Sequence, residues 1–269
     1  MRLYKCTITL IALVFVVGCG STKIQEEVTL NPNLHTKPVK IPEKIISANI
    51  LAKDRVLVFT KTNGFRHKSI EKGVATFVKL GVANNFAVTH TEDSLQFNGE
   101  NLKKFKLVVF LSTTMDVLGE AQQAAFEKYI QNGGSFMGVH AAADTEYEWP
   151  WYGKLVGAYF LSHPKQQTAT IDVVDHNHPA TKHLADIWTH FDEWYNYKNI
   201  NPDLHVLMKL DESSYEGGKN GDNHPIAWYH EYDGGRSFYT GLGHTDEAYD
   251  DLNFRQQLVG GIEYCLKRN

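Results

Sequence analysis

The chain has 269 residues, 42% of them hydrophobic and 22% charged, and a formal charge of −4. Nothing in it makes an electropositive surface, and no Lys/Arg stripe carries interleaved aromatics, so no nucleic acid is expected as a partner. Of the cysteines, Cys6 and Cys19 lie at the extreme N-terminus and Cys265 stands alone, which excludes an internal disulfide framework and leaves the core to hold by packing.

The first residues predict export. Arg2 and Lys5 form a basic head, and Thr7 to Val17 is an apolar run too short to span a membrane as a mature helix. Val16-Val17-Gly18-Cys19 resembles the bacterial lipoprotein box, in which the cysteine becomes the lipidated first residue. Residues 1–18 then form a signal peptide, and the protein sits at the bacterial cell envelope, held to a membrane through lipid on Cys19. An ordinary signal followed by a stray cysteine is the competing reading. Residues 19–48 are polar, with Pro32, Pro38 and Pro42, and read as a flexible tether. Residues 49–269 remain as one domain, long enough to bury a substantial core.

That domain alternates. Arg55 to Thr60 is a β-branched apolar run and predicts the first strand, followed by a loop, Asn63-Gly64-Phe65-Arg66-His67. A helix beginning at Ser69 places Ile70, Val74, Phe77 and Leu80 on one face. Phe86 to Thr91 and Leu107 to Leu111 predict the next strands, and Glu120 to Gln131 a helix stopped by Asn132-Gly133-Gly134. Strand and helix at this spacing argue for parallel βαβ units in a doubly wound α/β sheet. Later, Glu146 to Tyr152 reads as an aromatic and acidic loop over a site. Thr168 to Val174 and His205 to Leu210 read as strands. Ile226 to Tyr232 and Arg236 to Gly241 form a hairpin turned by Asp233-Gly234-Gly235. Asn253 to Lys267 is the last helix, with Cys265 a small buried residue on it.

Within this order, Ser135 to Val139 is a buried strand, and Gly138 with Ala141, Ala142 and Ala143 permits a sharp turn behind it. Such a turn presents one side chain at the carboxyl end of a strand, where open α/β sheets bind ligands. That side chain is His140. An imidazole there serves acid/base, metal or hydrogen-bonding work, or is simply tied to neighbouring backbone. Loops following parallel strands converge on one edge, so His67 and His244 can meet His140. Asp144, one helical turn on, either orients His140 or stands in solvent.

Gly64-Phe65-Arg66-His67, Gly133 to His140, His163-Pro164, Asp192-Glu193 and Gly241-Leu242-Gly243-His244 together resemble the ThuA-like (trehalose utilisation) family, from about Arg55 to the C-terminus. The resemblance implies a single domain with a flavodoxin-like, mostly parallel sheet similar to the class I glutamine amidotransferases. It also implies a role in carbohydrate metabolism, often alongside enzymes of oxidised (keto) sugars. His140 stands where the amidotransferases carry their cysteine, so glutaminase chemistry is excluded.

The candidate catalytic set is His67, His140, His163, Glu193 and His244. Asp192-Glu193 lies among Trp188, Phe191, Trp194, Tyr195 and Tyr197, surroundings expected to raise a carboxyl pKa and to suit sugar faces. Arg66, Asp144, Gln166, Asp192, Trp194, Tyr195 and Asp246 are expected to meet a small carbohydrate, with a structural ion pair the alternative for Arg66. Either a set drawn from His67, His140, His163, His244 or a carboxylate holds a divalent metal such as zinc, or Glu193 and a histidine exchange a proton without one. The absence of HExxH or CxxC spacing weakens the metal reading. His90, His176, His183, His190, His205 and His230 read as surface residues. Function stays open between an enzyme acting on a glycoside or keto-sugar and a non-catalytic carbohydrate-binding lipoprotein, with a scaffold partner of another enzyme behind both.

Overall fold

Strands form where the sequence runs apolar. β1 (Asp54–Phe59), β2 (Phe86–Thr91), β3 (Leu107–Leu111) and β4 (Ser135–Val139) are buried almost end to end. That is the pattern of parallel strands covered on both faces. The computed structural model describes residues 52–268. Cys6, the signal peptide, the lipidation site Cys19 and the tether fall outside the described residues.

The helices between these strands are α1 (Ile70–Ala83), the short α2 (Gly99–Leu102) and α3 (Glu120–Gln131). After them come α4 (Pro150–Val156), β5 (Tyr159–Ser162), β6 (Gln167–Val173), β7 (Ile187–Asp192), β8 (Asn196–Lys198) and β9 (His205–Asp211). The predicted hairpin closes the sheet as β10 (Pro225–Tyr232) and β11 (Gly235–Thr240), and α5 (Leu252–Cys265) ends the chain. The main sheet runs β2-β1-β3-β4-β11-β10-β9-β6-β7, while β5 and β8 pair separately.

The first five strands in that order are parallel and follow the flavodoxin-like sequence 2-1-3-4-5. Both faces are covered. Phe110 and Phe136 turn to α3 and α4, meeting Phe126 and Tyr152 at ring separations of 5.6 and 5.8 Å. On the other face Thr240 meets Gln257 of α5 at 3.1 Å, and Ser135 Oγ donates to the Cys265 carbonyl at 2.8 Å. Cys265 is buried, as expected.

The antiparallel strands β10, β9, β6 and β7 form a wing on this sheet. Four antiparallel steps separate β7 from β11, so β7 again points its carboxyl end to the edge where the parallel strands end. At about 4.8 Å per strand that end would lie roughly 19 Å from β11. Yet the Asp192 carboxylate hydrogen-bonds the Gly243 amide at 2.7 Å. The wing therefore curls back over the carboxyl edge, with register shifts along β10 where it pairs with β9.

Two expectations are corrected here. The aromatic stretch Glu146 to Tyr152 is a loop only as far as Trp149: α4 starts at Pro150, with Trp149 and Tyr152 buried against α3 and the sheet, because proline at the first helical position and a stacked Trp149–Tyr152 pair favour a core helix. His90, His190 and His230 are buried rather than on the surface: His90 lies on β2, which is covered on both faces, and His190 and His230 sit at buried positions of β7 and β10 next to exposed ones.

Candidate metal and acid/base site

At the end of β4 the chain turns sharply, and His140 takes a left-handed φ of +50°, a conformation costly for a non-glycine residue and common at functional turns. Its backbone is held by Tyr239, whose hydroxyl donates to the His140 carbonyl at 2.7 Å. The ring is fully buried. Its Nδ1 lies 2.9 Å from the Gly241 carbonyl, which can only accept, so Nδ1 carries the proton. Nε2 is then the nitrogen turned into the cluster, which is how a backbone carbonyl prepares a histidine as a ligand or base.

Three further groups gather around that nitrogen. His244 Nδ1 is 3.1 Å away, Glu193 Oε2 is 3.6 Å away, and those two are 3.0 Å from each other. His67 completes the group with its ring edge-on to His140 and His244, at centroid distances of 4.8 and 5.0 Å. One ligand-capable atom from each of His67, His140, Glu193 and His244 lies within 4.8 Å of the others. The residues come from loops after β1, β4, β7 and β11, all at one edge of the sheet.

The electrostatics suit a cation. Burial, with His140 and His244 close by, pushes the His67 imidazole down to about 2, so it stays neutral. Its Nδ1 is buried without a hydrogen-bond partner, an arrangement costing about 1–3 kcal/mol unless something else satisfies the ring. Burial alone would raise the Glu193 carboxyl, but the imidazoles of His140 and His244 outweigh it and hold Glu193 well below the usual carboxylate range. This overturns the expected raised pKa: the aromatics around Glu193 matter less than the imidazoles it faces. Zinc bonds of about 2.0–2.2 Å place tetrahedral ligand atoms about 3.3 Å apart; the separations of 3.0, 3.1 and 3.6 Å among His140, Glu193 and His244 bracket that value, and His67 lies within 4.8 Å of them. A neutral His67, ring nitrogens of His140 and His244 turned inward, an ionised carboxylate and this spacing fit a divalent metal such as zinc.

His163 stands beside the group rather than in it. Its Nδ1 is 3.1 Å from Glu193 Oε1 and 2.8 Å from the Pro164 carbonyl, so Nδ1 is the protonated nitrogen and Nε2 is free to accept. At 43% exposed, its side chain reaches solvent. Of the expected ligand candidates, the compact set contains His67, His140 and His244 with Glu193 as its carboxylate, and leaves His163 outside.

Asp192 is fully buried and holds the site's backbone instead of facing a ligand. It accepts from the amides of Glu193 at 2.9 Å, Gly243 at 2.7 Å and His244 at 3.1 Å. Gly243 itself needs to be glycine: its φ is +109°, and a Cβ there would lie 2.8 Å from the Tyr249 hydroxyl.

The other expected contacts are placed differently. Asp144 does not orient His140, whose Nδ1 is taken by Gly241; it pairs with the Tyr147 hydroxyl, and burial raises its carboxyl. Tyr147 carried no signal beyond the aromatic density of its stretch. Trp194 is fully buried with its indole N–H on the Gln167 carbonyl at 2.8 Å, so it offers no face to a sugar. Tyr195 packs its ring 4.3 Å from His140 and lines the cluster from below. Arg66 forms ion pairs with Glu71 and Glu92, both at 2.9 Å, which is the structural alternative. Gln166 and Asp246 are exposed and outside the ligand group.

The family described as ThuA, trehalose utilisation, matches residues 55–265. No curated protein matches the chain. Among solved structures, a ThuA-like protein from Bacteroides uniformis ATCC 8492 is 26% identical, with a TM-score of 0.70 over 80% of this chain and 92% of that one. A ThuA-like protein from Parabacteroides merdae ATCC 43184 is 21% identical, with a TM-score of 0.66 over 79% and 90%. A β-galactosidase from Bacillus circulans sp. alkalophilus shares the fold alone, at 12% identity and a TM-score of 0.53 over 79% of this chain and 31% of that chain. The chain belongs to the ThuA family, and with it to a carbohydrate-related group.

Proposed function

We propose that this protein is a carbohydrate-processing enzyme of the bacterial cell envelope, anchored by lipid on Cys19 and acting on a glycoside or keto-sugar. The observation that carries this reading is the convergence of His67, His140, Glu193 and His244 from four separate loops. These four residues would hold a divalent metal such as zinc, which when bound supplies Lewis-acid polarisation of a sugar oxygen.

The chain's own residues do the rest. Glu193 divides its oxygens: Oε2 faces the cluster, and Oε1 fixes the tautomer of His163. His163 then takes a proton at Nε2 and exchanges it with solvent, the work of a general base. Gly241 holds the His140 ring, Asp192 holds Glu193 and His244 in register, and Tyr195 closes the floor against water. No helix among the described residues is long and apolar enough to cross a membrane, so in this reading membrane attachment rests on the N-terminal lipid. A small carbohydrate is the partner, and nucleic acid is not.

The test is to purify the protein without chelator, measure bound metal, and incubate it with glucosides and their keto derivatives, following products by mass spectrometry. The expected result is bound metal and turnover. His163→Ala should lose turnover while keeping the metal, and His140→Ala should lose both. Metal-free protein that retains sugars unchanged would overturn the enzyme in favour of a binding lipoprotein.

A further inference from the structure

We propose that Phe65 and Met115 form an apolar lip that receives the aryl or alkyl aglycone of a glycoside whose sugar sits at the histidine cluster. The proposal rests on the carbohydrate reading above and adds the substrate's other half.

The strand order places the lip. β1 is flanked by β2 and β3, so the chain reverses its direction of travel across the sheet between β1 and β3. Open α/β sheets bind ligands outside the carboxyl ends of strands at such a switch point. The loop leaving β1 carries Phe65, and the loop leaving β3 carries Met115. They are tied together: Thr62 bridges Thr114, the Asn63 amide donates to the Thr114 carbonyl at 3.0 Å, and the Thr114 hydroxyl donates to the Phe65 carbonyl at 3.0 Å.

Met115 lies over the bare backbone of Gly64, where a Cβ would stand only 2.7 Å from the Met115 Cγ. Its φ of +61° is costly for a non-glycine residue. The strain is sustained by two backbone bonds, from the Met115 amide to the Asp144 carbonyl at 2.7 Å and from the Glu146 amide to the Met115 carbonyl at 3.1 Å. The outcome is two large apolar side chains exposed on loops that are tied together, Phe65 at 65% and Met115 at 45% exposed.

The lip is continuous with the site. The Phe65 ring is edge-on to His67 at 4.9 Å, and His67 touches both His140 and His244. Arg66, between Phe65 and His67 in sequence, is engaged by Glu71 and Glu92. Neither Phe65 nor Met115 has a side-chain donor to offer a sugar hydroxyl, whereas the cluster and His163 are rich in polar atoms. The sugar therefore belongs at the histidines and an apolar substituent on the lip, where a flexible thioether beside an aromatic ring adapts to varied shapes.

The test is calorimetric titration of the full chain in detergent with methyl glucosides, phenyl glucosides and phenol. The wild type should bind phenyl glucosides about tenfold more tightly than methyl ones, a preference worth about 1.4 kcal/mol. Phe65→Ser with Met115→Asn, both at exposed positions and the second tolerant of the left-handed backbone, should bring that ratio to within about twofold. Methyl glucoside affinity and metal content should not change. A wild-type ratio near one, or a ratio that survives in the double variant, would overturn the lip. Phenol binding that is lost in the double variant, with no glycoside bound by either protein, would overturn the carbohydrate reading and the aglycone assignment with it. No binding of any probe by the wild type would overturn the lip as well.

Discussion

Replacing Asp192 with asparagine should damage the fold and the site together. The carboxylate is fully buried and accepts three backbone N–H groups, Glu193 and His244 on Oδ1 and Gly243 on Oδ2. An asparagine keeps one carbonyl oxygen for the first two, but its NH₂ then faces the Gly243 amide. One charge-assisted bond worth about 1.5–3 kcal/mol is lost, and a buried donor is left unmet at about 1–3 kcal/mol. Relief from burying a charge returns part of this, so the net destabilisation should be about 2–4 kcal/mol. With a urea m-value of about 2–3 kcal/mol/M, the midpoint should fall by roughly 1 M. Release of Gly243 also loosens His244, and losing such a support typically lowers metal affinity about 10–100-fold. Urea unfolding followed by circular dichroism, with zinc titration against a competing chelator, reads both effects. A variant within about 0.5 kcal/mol of the wild type, with unaltered zinc affinity, would refute the assignment of Asp192 as the clasp between the wing and the β11 loop.

Trp194→Ala should destabilise by about 3–5 kcal/mol through the cavity it leaves, whereas Trp194→Phe should leave sugar affinity intact; loss of binding in a stable Trp194→Phe protein would instead make the indole a ligand contact. Burial pushes the Glu146 carboxyl up to about 7 despite donors from Val117, Leu118 and Gln123. The folded state therefore holds this proton more tightly than the unfolded chain, and its contribution to stability is fully present below about pH 4.5 and lost as pH rises to about 7. Urea midpoints at pH 4.5, 5.5 and 7 should show that decline, and Glu146→Gln should flatten it. Chelation should lower the melting temperature: a metal present at about 1,000 times its Kd contributes about 4 kcal/mol, or roughly 8–16 °C for a domain of this size. A melting curve unmoved by chelator and by added zinc would remove the metal from the site.

What could be read from the sequence follows from what is local. β1 to β4 are buried on both faces and so appear as unbroken apolar runs, and Asp233-Gly234-Gly235 announces its hairpin. His67, His140 and His244 were legible because each follows a parallel strand, and topology alone sends those loops to one edge. β7 escaped notice although its burial alternates residue by residue, because Ile187 and Phe191 put large apolar groups on the solvent side. Asp192 and Glu193 drew attention by composition, but their roles depend on the curl of the wing, which no local pattern encodes. The same long-range closure set the Glu193 carboxyl low and sealed Trp194 inside, reversing what their aromatic neighbours implied.

The two halves of the sheet contribute unlike groups to the site, and the difference has a physical reason. The parallel half delivers imidazoles from short, sharply turned loops with little room. There a ring with one nitrogen satisfied by backbone, as Gly241 satisfies His140, can be buried without leaving that nitrogen unpaired. A carboxylate could not be buried in those turns without a counter-charge. It comes from the wing, on a strand end whose own aspartate clasps the β11 loop. Glu193 is thus ionised because it meets His140 and His244, and His244 is held in position because Asp192 precedes Glu193 by one residue. The contact that curls the wing over the carboxyl edge is therefore made one residue away from the group's one carboxylate ligand.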